Sequence, residues 1–225
     1  CIRDRQSEDN IRWVQGTHDT LGAWEKWVSG CHAVVNLAGA SLAKRWSTTY
    51  MREIVTSRVG TTTALYHAMA HAADRPDVMV SASAVGFYGN TEAEVDESAP
   101  KGRGFLADVC EQWEAAAVRP ETLGVRVVRL RIGMVLAKQG GALPALAGPV
   151  RAFMGGALGD GKQWVSWIHV RDVVRLILEA IDNSGYQGAI NAVAPSPVRQ
   201  RELVHALGRV LHRPVWLDAP AFAIR

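Results

Sequence analysis

Val78-Met79-Val80-Ser81-Ala82-Ser83-Ala84-Val85-Gly86-Phe87-Tyr88-Gly89 is the stretch whose reading decides the fold. An apolar run breaks into small residues and then into a glycine-flanked aromatic pair, the way a buried parallel strand opens into a site at its carboxyl end. Outward from it, apolar runs alternate with amphipathic stretches. Strands are predicted near residues 11–14, 33–37, 78–81, 125–130, 164–169 and 189–192. Helices are predicted near 23–28, 48–73, 105–123, 143–154, 171–181 and 201–211. That alternation builds a doubly wound α/β fold, a parallel sheet with helices on both faces. The longest helix carries Met51, Val55, Thr62, Leu65 and Met69 on one stripe, and Arg58 falls on the same stripe.

Composition narrows the function classes. The chain has 225 residues, 48% hydrophobic and 21% charged, enough for one large core and a small appended lobe. Its 25 Lys and Arg against 22 Asp and Glu are spread without a basic run, which argues against a nucleic-acid footprint. No apolar stretch approaches membrane-spanning length, and the start, Cys1-Ile2-Arg3-Asp4-Arg5, lacks the layout of a secretory signal, so a cytoplasmic protein is expected. Cys1, Cys31 and Cys110 are odd in number and lack metal-ligand spacing, so neither a disulfide framework nor a metal site is expected.

The beginning departs from the pattern. A dinucleotide-binding sheet needs a first strand and a glycine-rich turn, because only glycine lets the backbone approach a pyrophosphate at a helix N-terminus. Neither precedes Arg3. In the strand order 3-2-1-4-5-6 that strand is central, so an unpaired edge is expected beside residues 33–37, with Cys1 and Ile2 ending a second strand. The glycines from Gly155 to Gly161 are no substitute, since they follow a helical stretch and precede a strand.

Four segments together resemble an atypical branch of the extended short-chain dehydrogenase/reductases, the epimerase family proteins of the NAD-dependent epimerase/dehydratase group. They are Val34-Val35-Asn36-Leu37-Ala38-Gly39, residues 81–89, residues 127–136, and Trp167-Ile168-His169-Val170-Arg171-Asp172-Val173-Val174. Lys44-Arg45-Trp46, Ser57-Arg58, Trp113-Glu114, Gly161-Lys162-Gln163-Trp164 and Asn191-Ala192-Val193-Ala194-Pro195 add to the likeness. The resemblance implies a Rossmann-type core over residues 1–140, incomplete at its start, and a small substrate lobe over 141–225 with segments returning to the core.

It also implies site residues. Arg3 matches the arginine that takes the 2′-phosphate of NADP, which favours NADP(H) over NAD(H); the rival readings are that Asp4, the acid at the same diagnostic position, takes that place, or that Arg3 is merely solvated. Leu37 and Ala38 would touch the cofactor through their backbone, or be plain strand core. Arg58 would meet an anion or a neighbouring carboxylate, since a guanidinium on an apolar stripe must offset its desolvation. Glu53 and Val135 are further cofactor contacts by resemblance. His169 reads as a packed histidine before an Asp172 helix cap.

For catalysis, Ser83 and Tyr88 are the hydroxyls available to polarise a carbonyl and donate a proton. The Tyr-x-x-x-Lys pair of the superfamily is absent from the matching helix, where Cys110 roughly takes the lysine position. Aligned on Gly89, Ala84 rather than Ser83 falls where many relatives carry serine. Arg151 would clamp a phosphate or carboxylate, and Gln163, Trp164 and Trp167 would offer hydrogen bonds and a stacking face, or close the lobe over the sheet. Two readings stay open: an NADP-dependent oxidoreductase or epimerase acting on a nucleotide-sugar-like or other small carbonyl or hydroxyl compound, and an NADP-binding sensor or regulatory protein without catalysis. A homodimer is implied only by analogy.

Overall fold

A computed structural model of the chain describes residues 11, 12, 14, 16, 22 and 24–219. Arg3, the strand end expected at Cys1 and Ile2, and Pro220 onward lie outside the described residues, and Ile11, Arg12 and Val14 carry no strand. The first half contains β1 (Ala33–Asn36), α1 (Thr48–Val55), α2 (Thr61–His71), β2 (Val78–Ala84), α3 (Phe105–Ala117) and β3 (Arg126–Ile132). The second contains β4 (Met134–Leu136), α4 (Ala142–Arg151), β5 (Trp164–Val165), β6 (Trp167–His169), α5 (Val170–Asp182), β7 (Gly188–Ala192), β8 (Val198–Arg199) and α6 (Gln200–Leu211).

The core is a four-stranded parallel sheet in the order β1-β2-β3-β7. Side chains alternate across it. Val78, Val80, Val128 and Leu130 form one face and pack with Val173, Ile177 and Ala180 of α5. Met79 and Val127 form the other and pack with Ala68 and Met69 of α2. Burying each such side chain contributes about 1.5–3 kcal/mol. Among the described residues nothing pairs with the far side of β1, the place where the sequence predicts an unpaired edge, and Val35 there is exposed.

Two predicted elements divide. The helix expected over 48–73 is α1 and α2 joined through one π-helical turn at Thr56–Gly60, a local widening of the kind that recurs at functional positions. The strand expected over 164–169 breaks at Ser166: β5 pairs antiparallel with β8, whereas β6 pairs parallel with β4. Packing forces that break. The backbone crosses so closely that a β-carbon on Gly133 would lie 2.6 Å from the Ser166 carbonyl oxygen, which accepts from Met134 N–H at 2.7 Å. β5, β8 and α6 form the small lobe with α4, tied together by bridges from Gly155 to Val215 and from Leu158 to Ala219.

Candidate functional site

At the carboxyl end of β1 the chain runs Asn36-Leu37-Ala38-Gly39-Ala40 over the start of the long helical segment. Buried Asn36 fixes its geometry: Nδ2 donates to Thr62 Oγ1 at 2.9 Å, and Oδ1 accepts from Ala38 N–H at 3.2 Å. Thr62 Oγ1 also accepts from Trp113 Nε1 at 3.0 Å and donates to the Arg58 carbonyl at 2.7 Å, so one hydroxyl joins β1, α2 and α3. Ala40 N–H is taken by Ser57 Oγ at 2.9 Å.

Arg58, in the π turn, reaches across this loop. Its Nη1 donates to the Ile54 carbonyl and its Nη2 to the Ala40 carbonyl, each at 3.1 Å. A β-carbon on Gly39 would stand 3.0 Å from the guanidinium carbon, so glycine is what admits the side chain. Desolvation holds the guanidinium below its ordinary pKa, with Cys110 and Tyr50 acting in the opposite direction. No carboxylate among the described residues forms an ion pair with it. The guanidinium also lies over the Trp113 ring, 5.3 Å from its centroid, so its partners among the described residues are two carbonyls and an aromatic face, an arrangement compatible with an anion beside the Gly39 cradle.

The other expected contacts vary. Leu37 is 57% exposed, so it is not strand core, and with its N–H already bonded Ala38 must make any contact through its carbonyl or methyl. Glu53 is exposed on α1. Val135 is half-buried in β4, opposite Ile168, and packs against the core.

The two hydroxyls expected to face a reacting carbonyl are bonded to buried polar groups in this structure. Period-two alternation puts Ser83 and Arg131 side by side in the β2–β3 register, on the face that α3 covers with Glu114. Arg131 and Glu114 are each 4% exposed. Arg131 Nε and Nη2 grip the carboxylate at 2.9 and 3.0 Å, Arg129 Nη1 reaches it at 3.2 Å, and Ser83 Oγ donates to it at 2.7 Å. Arg131 Nη1 donates to Tyr88 Oη at 2.9 Å, and Tyr88 donates to Asn191 Oδ1 at 2.6 Å. Desolvation depresses the Arg131 pKa, but the hydrogen bonds that it donates to Glu114 and Tyr88 outweigh it and leave the pKa raised. Buried charges need hydrogen-bond partners, and these two hydroxyls supply part of that bonding, while Arg129 Nε stays without a partner.

Cys110 lies behind this turn, 3.8 Å from where a Gly86 β-carbon would be. Burial first, and the Glu114 charge second, push its thiol up to about 11, so it is neutral at physiological pH and cannot replace a lysine cation.

The lobe residues are dispersed. Arg151 is exposed at the end of α4. Gln163 Nε2 donates to the Leu158 carbonyl at 3.1 Å, and half-buried Trp167 donates through Nε1 to the Ser196 carbonyl at 3.0 Å. Trp164 is 42% exposed and bonded to Glu92. His169 is itself the N-cap of α5, its Nδ1 accepting from Arg171 N–H at 3.2 Å, with Asp172 inside the first turn, which corrects the expected cap. Glu92, Glu97, Glu114, Arg129, Arg131, Asn191 and Arg199 carry much of the polar architecture without having been assigned roles from sequence. Charges at apolar positions of β3 and α3 were the signal for three of them. Among the described residues no cluster of His, Cys, Asp or Glu could hold a metal ion, and no helix is long and apolar enough to cross a membrane.

A Rossmann-type parallel sheet with a small lobe beyond its carboxyl edge defines a class of nucleotide-cofactor folds, and the comparisons agree on that class. The profile of the NAD dependent epimerase/dehydratase family matches residues 2–193, and the chain belongs to that family. It is 47% identical over 205 residues to the Arabidopsis thaliana epimerase family protein SDR39U1 homolog, chloroplastic, covering 90% of this chain and 59% of that relative's length. The crystal structure of human epimerase family protein SDR39U1 (isoform 2) with NADPH superposes with a TM-score of 0.83 at 32% identity, covering 89% of this chain and 71% of that one. The nucleoside-diphosphate sugar epimerase from Corynebacterium glutamicum superposes at 0.70 with 35% identity, covering 88% and 43% respectively.

Proposed function

We propose that the protein is an NADP(H)-dependent oxidoreductase or epimerase-like enzyme acting on a small carbonyl or hydroxyl compound of the nucleotide-sugar type, in a cytoplasmic setting. The observation that carries this is Arg58, a half-buried guanidinium over Gly39 without an ion-paired carboxylate among the described residues, beside the carboxyl end of β1; a relative in this family, human SDR39U1, was crystallised with NADPH. Arg58 and Arg3 would hold phosphates, and Leu37, Ala38, Glu53 and Val135 would line the remainder. The nicotinamide, when bound, exchanges a hydride with the substrate carbon. Ser83, Tyr88, Arg151, Gln163, Trp164 and Trp167 remain the proposed substrate-side residues.

Two expected results test this reading. Arg3→Ala should weaken NADPH binding about tenfold and leave NADH binding unchanged, because only NADPH carries the 2′-phosphate that a guanidinium fork grips. Equal losses for both cofactors in fluorescence titrations would remove that role. Tyr88→Phe should lower kcat about a hundredfold with KM little changed, the usual range for a proton-transferring group.

The inward bonding of Ser83 and Tyr88 favours a second reading, a cofactor-binding sensor without catalysis. NADPH binding with no turnover of any nucleotide sugar, and no effect of Tyr88→Phe beyond stability, would select it.

A further inference from the structure

One loop side chain reaches from the core side into the small lobe. Glu92 lies between the turn at Gly89 and α3. Its Oε2 accepts from Arg199 Nη2 at 2.7 Å and from Trp164 Nε1 at 3.1 Å, and its Oε1 accepts from Arg199 Nη1 at 3.1 Å. Three donors therefore converge on one carboxylate.

The lobe fixes those donors without help from Glu92. Trp164 and Arg199 stand opposite each other in the β5–β8 pair, and the guanidinium carbon lies 3.7 Å from the Trp164 ring centroid. Arg199 Nη1 also reaches the Lys162 carbonyl, and its backbone N–H is held by Glu202 Oε2 at 2.7 Å. A guanidinium fork stacked on an indole, with the indole N–H beside it, matches the two-oxygen face of a carboxylate or phosphoryl group.

Glu92 is the loosest member. Its side chain is 74% exposed against 30% for Arg199, and exposed ion pairs add little to stability. The hydrogen bond from Arg199 holds its carboxyl below the usual range, so it is anionic. The rest of its loop is anchored elsewhere: Glu97 accepts from Asn191 N–H and from Arg131, and Lys101 pairs with Asp108 and Glu111. Release of Glu92 therefore need move only residues 90–96.

We propose that Arg199 and Trp164 form an oxyanion subsite of the substrate lobe, in which the Glu92 carboxylate is a built-in competitor exchanged for a carboxylate or phosphoryl group of the substrate. This rests on the reading of that lobe as the substrate side. The test uses isothermal titration of the full-length protein with inorganic pyrophosphate and, separately, malonate. Glu92→Gln should tighten binding about five-fold, the upper end of what an exposed pair contributes, for whichever probe the fork accepts, so the responding probe tells phosphoryl from carboxylate. Arg199→Lys keeps the charge without the fork and should lose most of that binding. If Arg199→Lys does not fold, Trp164→Phe removes one donor and should weaken binding about three-fold. Glu202→Gln removes the same charge beside Arg199 without freeing the fork and should change affinity less than about two-fold, since solvent screens it. Equal gains in Glu92→Gln and Glu202→Gln would reduce the effect to general electrostatics and overturn the proposal. So would unchanged affinity for both probes in Glu92→Gln. NADPH titration of the unsubstituted protein keeps the two readings apart, because absent cofactor binding there counts against the proposed function and not against the fork.

Discussion

Glu114→Ala is expected to lower the free energy of unfolding by about 3–5 kcal/mol, the largest stability effect of any single substitution discussed for this protein. The carboxylate is the shared partner of Arg129, Arg131 and Ser83, and both it and Arg131 are buried. Removing it leaves a guanidinium in the interior with Tyr88, a carbonyl and the Phe87 ring as neighbours and no anion to compensate its charge. The control is a double replacement, Glu114→Leu with Arg131→Met, which takes out the two most buried of the three charges, leaving the more exposed Arg129, and should cost less than the single change. Urea unfolding followed by circular dichroism reads the difference. A single-variant loss within about 0.5 kcal/mol, typical of a surface site, would show that the cluster is not a buried charge pair in solution.

Arg58→Ala should weaken NADPH binding ten- to hundredfold, about what the loss of a hydrogen bond to a charged group costs. The same change also removes the bonds to the Ile54 and Ala40 carbonyls, so the loop at Gly39 loses its clamp. Thermal unfolding of the variant separates that loss from the loss of an anion contact. Arg58→Lys should recover only part of the affinity, because an ammonium cannot span the two carbonyls and a phosphate in one plane. An unchanged dissociation constant in Arg58→Ala would take the residue out of the cofactor site and remove the observation on which the proposed function stands.

Much of the fold was legible because its strands are buried on both faces and so read as short apolar runs between glycine and proline punctuation. Val78 to Val80 and Val127 to Leu130 needed no tertiary information to be placed. The inward placement of Arg58 was legible as well, since a charge on an apolar helical stripe breaks that stripe's periodicity. The split at Ser166 was not, because it follows from a close crossing with Gly133, distant in sequence. The direction of the Ser83 and Tyr88 hydroxyls was equally hidden. The residues could be named from a motif, but what they bond to depends on Glu114 and Arg131, which only the stacking of α3 on the sheet brings together. Residue type announced a hydroxyl, and the neighbouring charges decided its use.

The core sheet has a kinetic side as well. All of its ladders are parallel, so none can start as a hairpin: Ala33 must find Val78, Val78 must find Arg126, and Val128 must find Gly188, each across an intervening crossover. Such non-local contacts must be gathered before any of them rewards the loss of chain freedom, which places this topology among slow folders. The Glu114–Arg131 pair can close only once α3 has docked on β3. Until then the chain carries three charges on segments bound for the interior, a brake on premature collapse that disappears in the finished molecule.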